Sequence, residues 1–183
     1  MDDSDPLNRF PNWVTDSPKR GSSQLNVHIF GPYRGEYHGI LKEVVDFLQH
    51  HGYNGAKLAT DLPNHPIPSG VSKNKQNWWE SVRFMHQADA AIFVLLQPDE
   101  DRLDGAPGHG LNSSVFAELT FWAHFFADRK KGTLVFYEGE MKHRGSLVSG
   151  IVEVGGIEDM EIGFGEIDKV KNASLTTCIN WLQ

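Results

Sequence analysis

Glu118 is the one carboxylate in the apolar run Val115–Phe126 of the segment GLNSSVFAELTFWAHFF. A residue every 100° around a helix places Val115, Leu119, Trp122 and Phe126 on one apolar stripe, with Glu118 at its border. Burying a carboxylate without a partner costs several kcal/mol (roughly 3 to 5). Two readings stay open for such an acid. It reaches solvent from the border of the stripe, or it faces a cleft where lost hydration shifts its pKa and fits it for work as nucleophile or base.

Other side chains gather in loops. In FGPYRGEY (30–37), Gly31 and Gly35 permit close backbone approach to a ligand. Arg34 adds a forked donor suited to phosphate. Pro32 and the glycines equally make a plain strand-to-helix turn. Asn112 and Ser113 either cap the helix that carries Glu118 or bind an anion or ribose. Lys142, His143, Arg144 and Ser146 form a small basic, hydroxyl-bearing group, or a solvated surface loop. Trp78 and Trp79 offer a stacking surface, with one of the pair expected in the core. Asp61 and Glu80 are candidate carboxylate partners. The nine histidines show no ligand spacing, so no metal is expected, and no cofactor. Neither a nucleophile elbow nor a phosphate-binding P-loop occurs.

The chain of 183 residues carries a formal net charge of −7, which excludes a general polyanion-binding surface. A local phosphate pocket is still compatible with it. No apolar run approaches the roughly 20 residues of a membrane span. The start, MDDSDPLNRF, lacks the apolar core of a secretory signal. The single cysteine, Cys178, reads as a buried thiol within a late helix. These features lead us to expect a cytoplasmic protein.

Residues 1–24 read as a polar arm and 25–183 as one domain. Strands are expected at Leu25–Phe30, Ala56–Thr60, Asp89–Leu96, Gly132–Tyr137 and Met160–Phe164. Helical spacing falls at Tyr37–Leu48, Lys75–Ala88, the Glu118 segment and Ile167–Leu182, with a short helix or turn at SLVSGIVEV. Alternating strands and helices imply right-handed crossovers and a parallel sheet. The expected fold is α/β and flavodoxin-like (Rossmann-like): a three-layer sandwich on a five-stranded parallel sheet of order 2-1-3-4-5. Ligands of such sheets bind beyond the carboxyl ends of the strands, near the switch point between strands 1 and 3.

Taken in order, VHIFGPYRG, QADAAIFVLLQP, NSSVFAELTFWA and RGSLVSGI resemble the nucleoside 2-deoxyribosyltransferase superfamily, over residues 27 to about 182. The likeness is greatest to its branch that hydrolyses 2′-deoxynucleoside 5′-monophosphates. The resemblance implies that Glu118 is the nucleophile that attacks the anomeric carbon and displaces the base. It implies that Tyr33 orients Glu118 through its hydroxyl. It further implies that Arg34, Asn112 and Ser146 hold a phosphate or sugar, with Ser146 or Ser149 matching a serine supplied by a neighbouring subunit. Such a protein is a homo-oligomer whose site is completed by its neighbour. Exposed aromatics among Phe121, Trp122 and Phe125 would suit that interface. Nucleoside, nucleotide or NAD is the expected ligand, with neither nucleic-acid polymer nor membrane as partner.

The chain departs from the pattern at three places. Ser81, with Glu80 beside it, stands where the family has an Asp. Asn112 stands six residues before the nucleophile, where Asp or Ser is usual. The loop 97–110 is longer than in the hydrolase branch. The run Ser113–Glu118 also resembles TIR-type domains, which implies NAD cleavage in stress or antiviral defence. The altered position at Ser81 leaves a third reading, a non-catalytic nucleotide sensor.

Overall fold

The computed structural model describes residues 21–61, 70–99, 111–126, 132–139 and 146–182. Nearly all of the expected polar arm lies outside these residues. So do most of the proline-rich loop after the second strand and the basic group Lys142–Arg144.

Five strands alternate with five α-helices: β1 (Val27–Phe30), α1 (Tyr37–His50), β2 (Lys57–Leu58), α2 (Lys73–Gln87), β3 (Ala90–Leu95), α3 (Ser113–Phe125), β4 (Thr133–Glu138), α4 (Ser146–Gly155), β5 (Glu158–Ile162) and α5 (Ile167–Trp181). All pairings are parallel and the sheet order is β2-β1-β3-β4-β5. This is the flavodoxin-like arrangement, and its switch point lies between β1 and β3. No helix among the described residues is long and apolar enough to cross a membrane.

The three layers follow from strand periodicity. Alternate strand residues face opposite sides. Val27, Ile29, Ile92, Val94, Leu134 and Phe136 pack with Leu41, Val44, Val45 and Leu48 of α1 and with Val170 and Cys178 of α5. Phe30, Ala91, Phe93, Leu95, Val135 and Tyr137 pack instead with α2, α3 and α4. Strands β1, β3 and β4 are buried along their whole length, as strands covered on both faces must be. Cys178 is buried in the first of these layers, and burial pushes its thiol up to about 12.

Every strand has a boundary displaced by one or two residues from the expected one, and two of these shifts have a visible cause. β2 stops at Leu58 because the Asp61 carboxylate accepts the Leu58 amide at 2.8 Å and turns Ala59–Asp61 into a single tight helical turn. β5 begins at Glu158, two residues before the expected Met160. It is an edge strand with partly exposed residues, so an apolar run does not mark its start. The segment SLVSGIVEV, left between helix and turn, forms α4.

The strand ends are tied by polar groups. The Asp89 carboxylate accepts both the backbone and the side-chain amide of Asn26, at 2.9 and 3.0 Å, which aligns the starts of β1 and β3. At the opposite edge, the buried Glu138 accepts the Gln97 amide at 3.0 Å and the Gly165 amide at 2.9 Å. The Tyr37 hydroxyl donates to the Gln97 carbonyl at 2.7 Å and accepts the Asp99 amide at 2.9 Å. The segment leaving β3 is therefore held from both sides.

Candidate functional site

Beyond the carboxyl ends of β1 and β2, on the side covered by α2 and α3, lies a cavity of about 360 Å³. Tyr33 contributes from the loop after β1, and Ala59 and Thr60 from the turn after β2. Helix α2 presents Asn77, Glu80 and Ser81; helix α3 presents Ser114 and Glu118. The position beside the switch point is where this fold class places ligands.

Glu118 is buried, with 5% of its surface exposed. Its helix turns Val115, Leu119 and Trp122 into the core, and the same face carries Glu118 to the cavity wall. The Ser81 hydroxyl donates to Glu118 Oε1 at 2.6 Å, the length of a strong bond to a carboxylate. Oε2 is buried and has no hydrogen-bond partner among the described residues. Lost hydration raises the Glu118 pKa from its ordinary 4.5 to about 7, with the Ser81 hydrogen bond acting weakly in the other direction. The border reading, an acid reaching water, does not describe this residue. Glu118 is a desolvated acid with one oxygen fixed by Ser81 and the other unpartnered among the described residues.

Tyr33 reaches the same cavity in a different role from the one expected. Its hydroxyl donates to the Ile29 carbonyl at 2.9 Å, back along its own loop. The hydroxyl that holds Glu118 belongs to Ser81. Burial, and after it the nearby Glu118 charge, keep the Tyr33 phenol protonated well above its usual range.

The remaining predicted residues divide. Trp78 is 39% exposed and meets Phe121 edge-to-face, with ring centroids 5.4 Å apart. Trp79 is 47% exposed and lies under the Lys75 ammonium. The expected division into one core and one surface tryptophan therefore does not hold. Trp122 lies in the core at 1% exposure, as its place on the apolar stripe predicts, and so leaves Phe121 and Phe125 as the interface candidates; its indole donates to the Thr133 hydroxyl at 2.8 Å. Phe121 and Phe125 are half-buried and pack against each other at a tilt of 41°, with ring centroids 4.4 Å apart.

Asn112 neither caps α3 with its side chain nor lines the cavity. Its amide donates to the Leu96 carbonyl at 2.9 Å and its carbonyl accepts the Leu96 amide, clamping the end of β3. Ser113 is exposed in the first turn of α3; the next residue, Ser114, reaches the cavity. Gly31 is buried, and a Cβ there would come within 2.7 Å of the Leu41 methyls, so the glycine serves packing against α1. Pro32 is buried beside it. Gly35 takes a left-handed φ of 49° in the turn into α1. Arg34 is exposed and outside the cavity lining. Asp61 closes its own turn and is also outside it. Ser146 opens α4 through its backbone, and its side chain lies outside the described residues; Ser149 is half-buried in the same helix. No group of three or more His, Cys, Asp or Glu placed to hold a metal ion occurs among the described residues.

Sequence reasoning did not single out Asn77, Thr60 or Ser114. The offset of four from Asn77 to Ser81, and from Ser114 to Glu118, is the signal that would have found two of them. Thr60 depends on a turn that only the Asp61–Leu58 bond creates.

No protein-family model matches the chain, and neither a curated protein nor a solved structure does.

Proposed function

We propose that the protein cleaves or transfers across the N-glycosidic bond of a nucleoside or nucleotide, with Glu118 as nucleophile. The observation that supports this most is the unequal state of the two oxygens of Glu118, a residue that lines a cavity: Oε1 accepts from Ser81, and Oε2 has no hydrogen-bond partner among the described residues. The resemblance to the nucleoside 2-deoxyribosyltransferase superfamily points to the same residue.

In this reading Oε2 attacks the anomeric carbon as the carbon–nitrogen bond breaks. The base leaves with that electron pair and takes up a proton. The ester between Glu118 and the sugar is then opened by water, or by a second base, which returns the carboxylate. The ionised carboxylate also stabilises positive charge on the sugar ring between the two steps. Ser81 fixes the carboxylate plane, so less motion is needed to reach the transition state. A homo-oligomer that covers the aromatic surface of α2 and α3 belongs to the same proposal.

The test is incubation with 2′-deoxynucleosides, their 5′-monophosphates and NAD, with free base or nicotinamide read by chromatography. Release of base from the first two groups, abolished in Glu118→Gln, supports the reading. Release of nicotinamide alone shifts it to NAD cleavage. No release from any of them across pH 5 to 9 overturns the enzyme reading for these substrates and leaves the sensor.

A further inference from the structure

A second acid lines the cavity. Glu80 lies on α2 next to Ser81, half-buried, and lines the same cavity as Glu118. The Gln76 side-chain amide donates to Glu80 Oε1 at 3.0 Å and steadies the carboxylate. The other polar groups of the lining are neutral: Asn77, Thr60, Ser81, Ser114 and the Tyr33 phenol. None of the described lining residues is Lys, Arg or His. Arg34, the cation expected to meet a phosphate, is exposed and outside the lining. His38 stands behind the wall, with Nε2 against the Thr60 hydroxyl at 3.1 Å.

A cavity whose described lining carries two acidic side chains and otherwise neutral polar groups repels a phosphate and accepts hydroxyl and amide donors. The open Glu118 Oε2 asks for a donor or an electrophilic carbon, not for another anion. We infer that Glu80 is a specificity-determining residue that rejects negative charge on the part of the ligand entering between α2 and α3. The ligand's inserted part is then an uncharged, hydroxyl-bearing ring, and a phosphate-bearing ligand is disfavoured. The inference rests on the proposed function for the choice of ligand, and on the charge of the cavity for the selectivity.

The experiment separates the two. Binding of each 2′-deoxynucleoside and its 5′-monophosphate is measured by calorimetry in Glu118→Gln, which leaves Glu80 as the acid of the described lining. Base release is measured in the unaltered protein. The uncharged member of a pair is expected to bind about tenfold more tightly, the scale of a like-charge contact across a half-wet cavity. Glu80→Gln added to that variant is expected to bring the ratio to about threefold or less, and Glu80→Lys to invert it. Tighter binding of the monophosphate, a ratio unmoved by Glu80→Gln in a protein with unchanged circular dichroism, or no binding in either series overturns the inference. Selective binding without base release overturns the N-glycosidic reading and leaves the charge filter. Base release with no preference between the pair does the reverse.

Discussion

Ser81 and Glu118 meet across two helices, hydroxyl to carboxylate at 2.6 Å, although 37 residues separate them in the chain. Helix α2 delivers the donor and α3 the acceptor, and both helices are set by the same apolar layer beneath the sheet. The pair fixes one oxygen of a buried acid and leaves the other without a hydrogen-bond partner among the described residues.

Removing the donor should make the acid weaker. Ser81→Ala deletes the hydrogen bond that favours the charged form, so the Glu118 pKa rises further above about 7. A hydrogen bond to a charged group contributes about 1.5 to 3 kcal/mol, so an upward shift of about one to two pH units is expected. Ser81→Thr keeps a hydroxyl and is expected to restore most of the shift. Carbon-detected NMR titration of the Glu118 carboxyl reads it directly. A midpoint that stays put in Ser81→Ala refutes the coupling.

Activity that needs an ionised Glu118 should increase with pH through about 7. The initial rate of base release across pH 5 to 9 measures this. A rate that falls through the same window assigns Glu118 the protonated, acid role instead.

Stability should move in the opposite direction. The folded state holds the Glu118 proton up to about 7, while the unfolded chain loses it near the ordinary 4.5. Between those values the folded state binds more protons, so stability falls as pH rises and the loss is complete above about 7. The shift corresponds to about 3 kcal/mol at most. Urea unfolding at pH 4, 6 and 8 should show Glu118→Gln gaining on the unaltered protein by up to that amount. Parallel curves for the two proteins exclude a buried, titrating Glu118.

Tyr33→Phe tests the reassignment of the phenol. Its hydroxyl serves the Ile29 carbonyl, so the variant should lose about 1 kcal/mol of stability. The Glu118 midpoint should stay within a few tenths of a unit, unlike in Ser81→Ala. A large movement of that midpoint means that Tyr33 does hold the acid.

Gly31→Ala should destabilise by about 1 to 3 kcal/mol, because the added methyl meets the buried Leu41 side chain. Pairing it with Leu41→Val, which vacates a methyl, should recover part of the loss. If Gly31→Ala is neutral by thermal unfolding, packing is not the reason for glycine there.

The sheet order could be read from the chain because its causes are local. The run AAIFVL is apolar on both faces, and helical stripes separate the strands. Glu118 stood out because one acid in an apolar stripe needs an explanation. Its partner did not stand out. A serine on a polar helix carries no local mark, and the 2.6 Å bond to Glu118 exists only after α2 and α3 pack. The apolar stripe places Trp122 inward, but the Thr133 hydroxyl that receives its indole lies on a separate strand and carries no local mark. Arg34 and Asn112 have the right chemistry for phosphate or sugar, but one is exposed and the other is committed to the backbone of Leu96.

Glu138 and Glu118 are both buried glutamates at the same edge of the sheet, 7% and 5% exposed. The first closes its two oxygens on the amides of Gln97 and Gly165 and so stitches three chain segments together. The second leaves half of its bonding capacity unanswered. Burial by itself therefore does not single out an acid; the unanswered valence does, and it is what the proposed chemistry would use. The molecule carries its own matched control. Neutralising Glu138 should fray the seam between the loops after β3 and β5 and reduce stability. Neutralising Glu118 should relieve the fold and silence the chemistry.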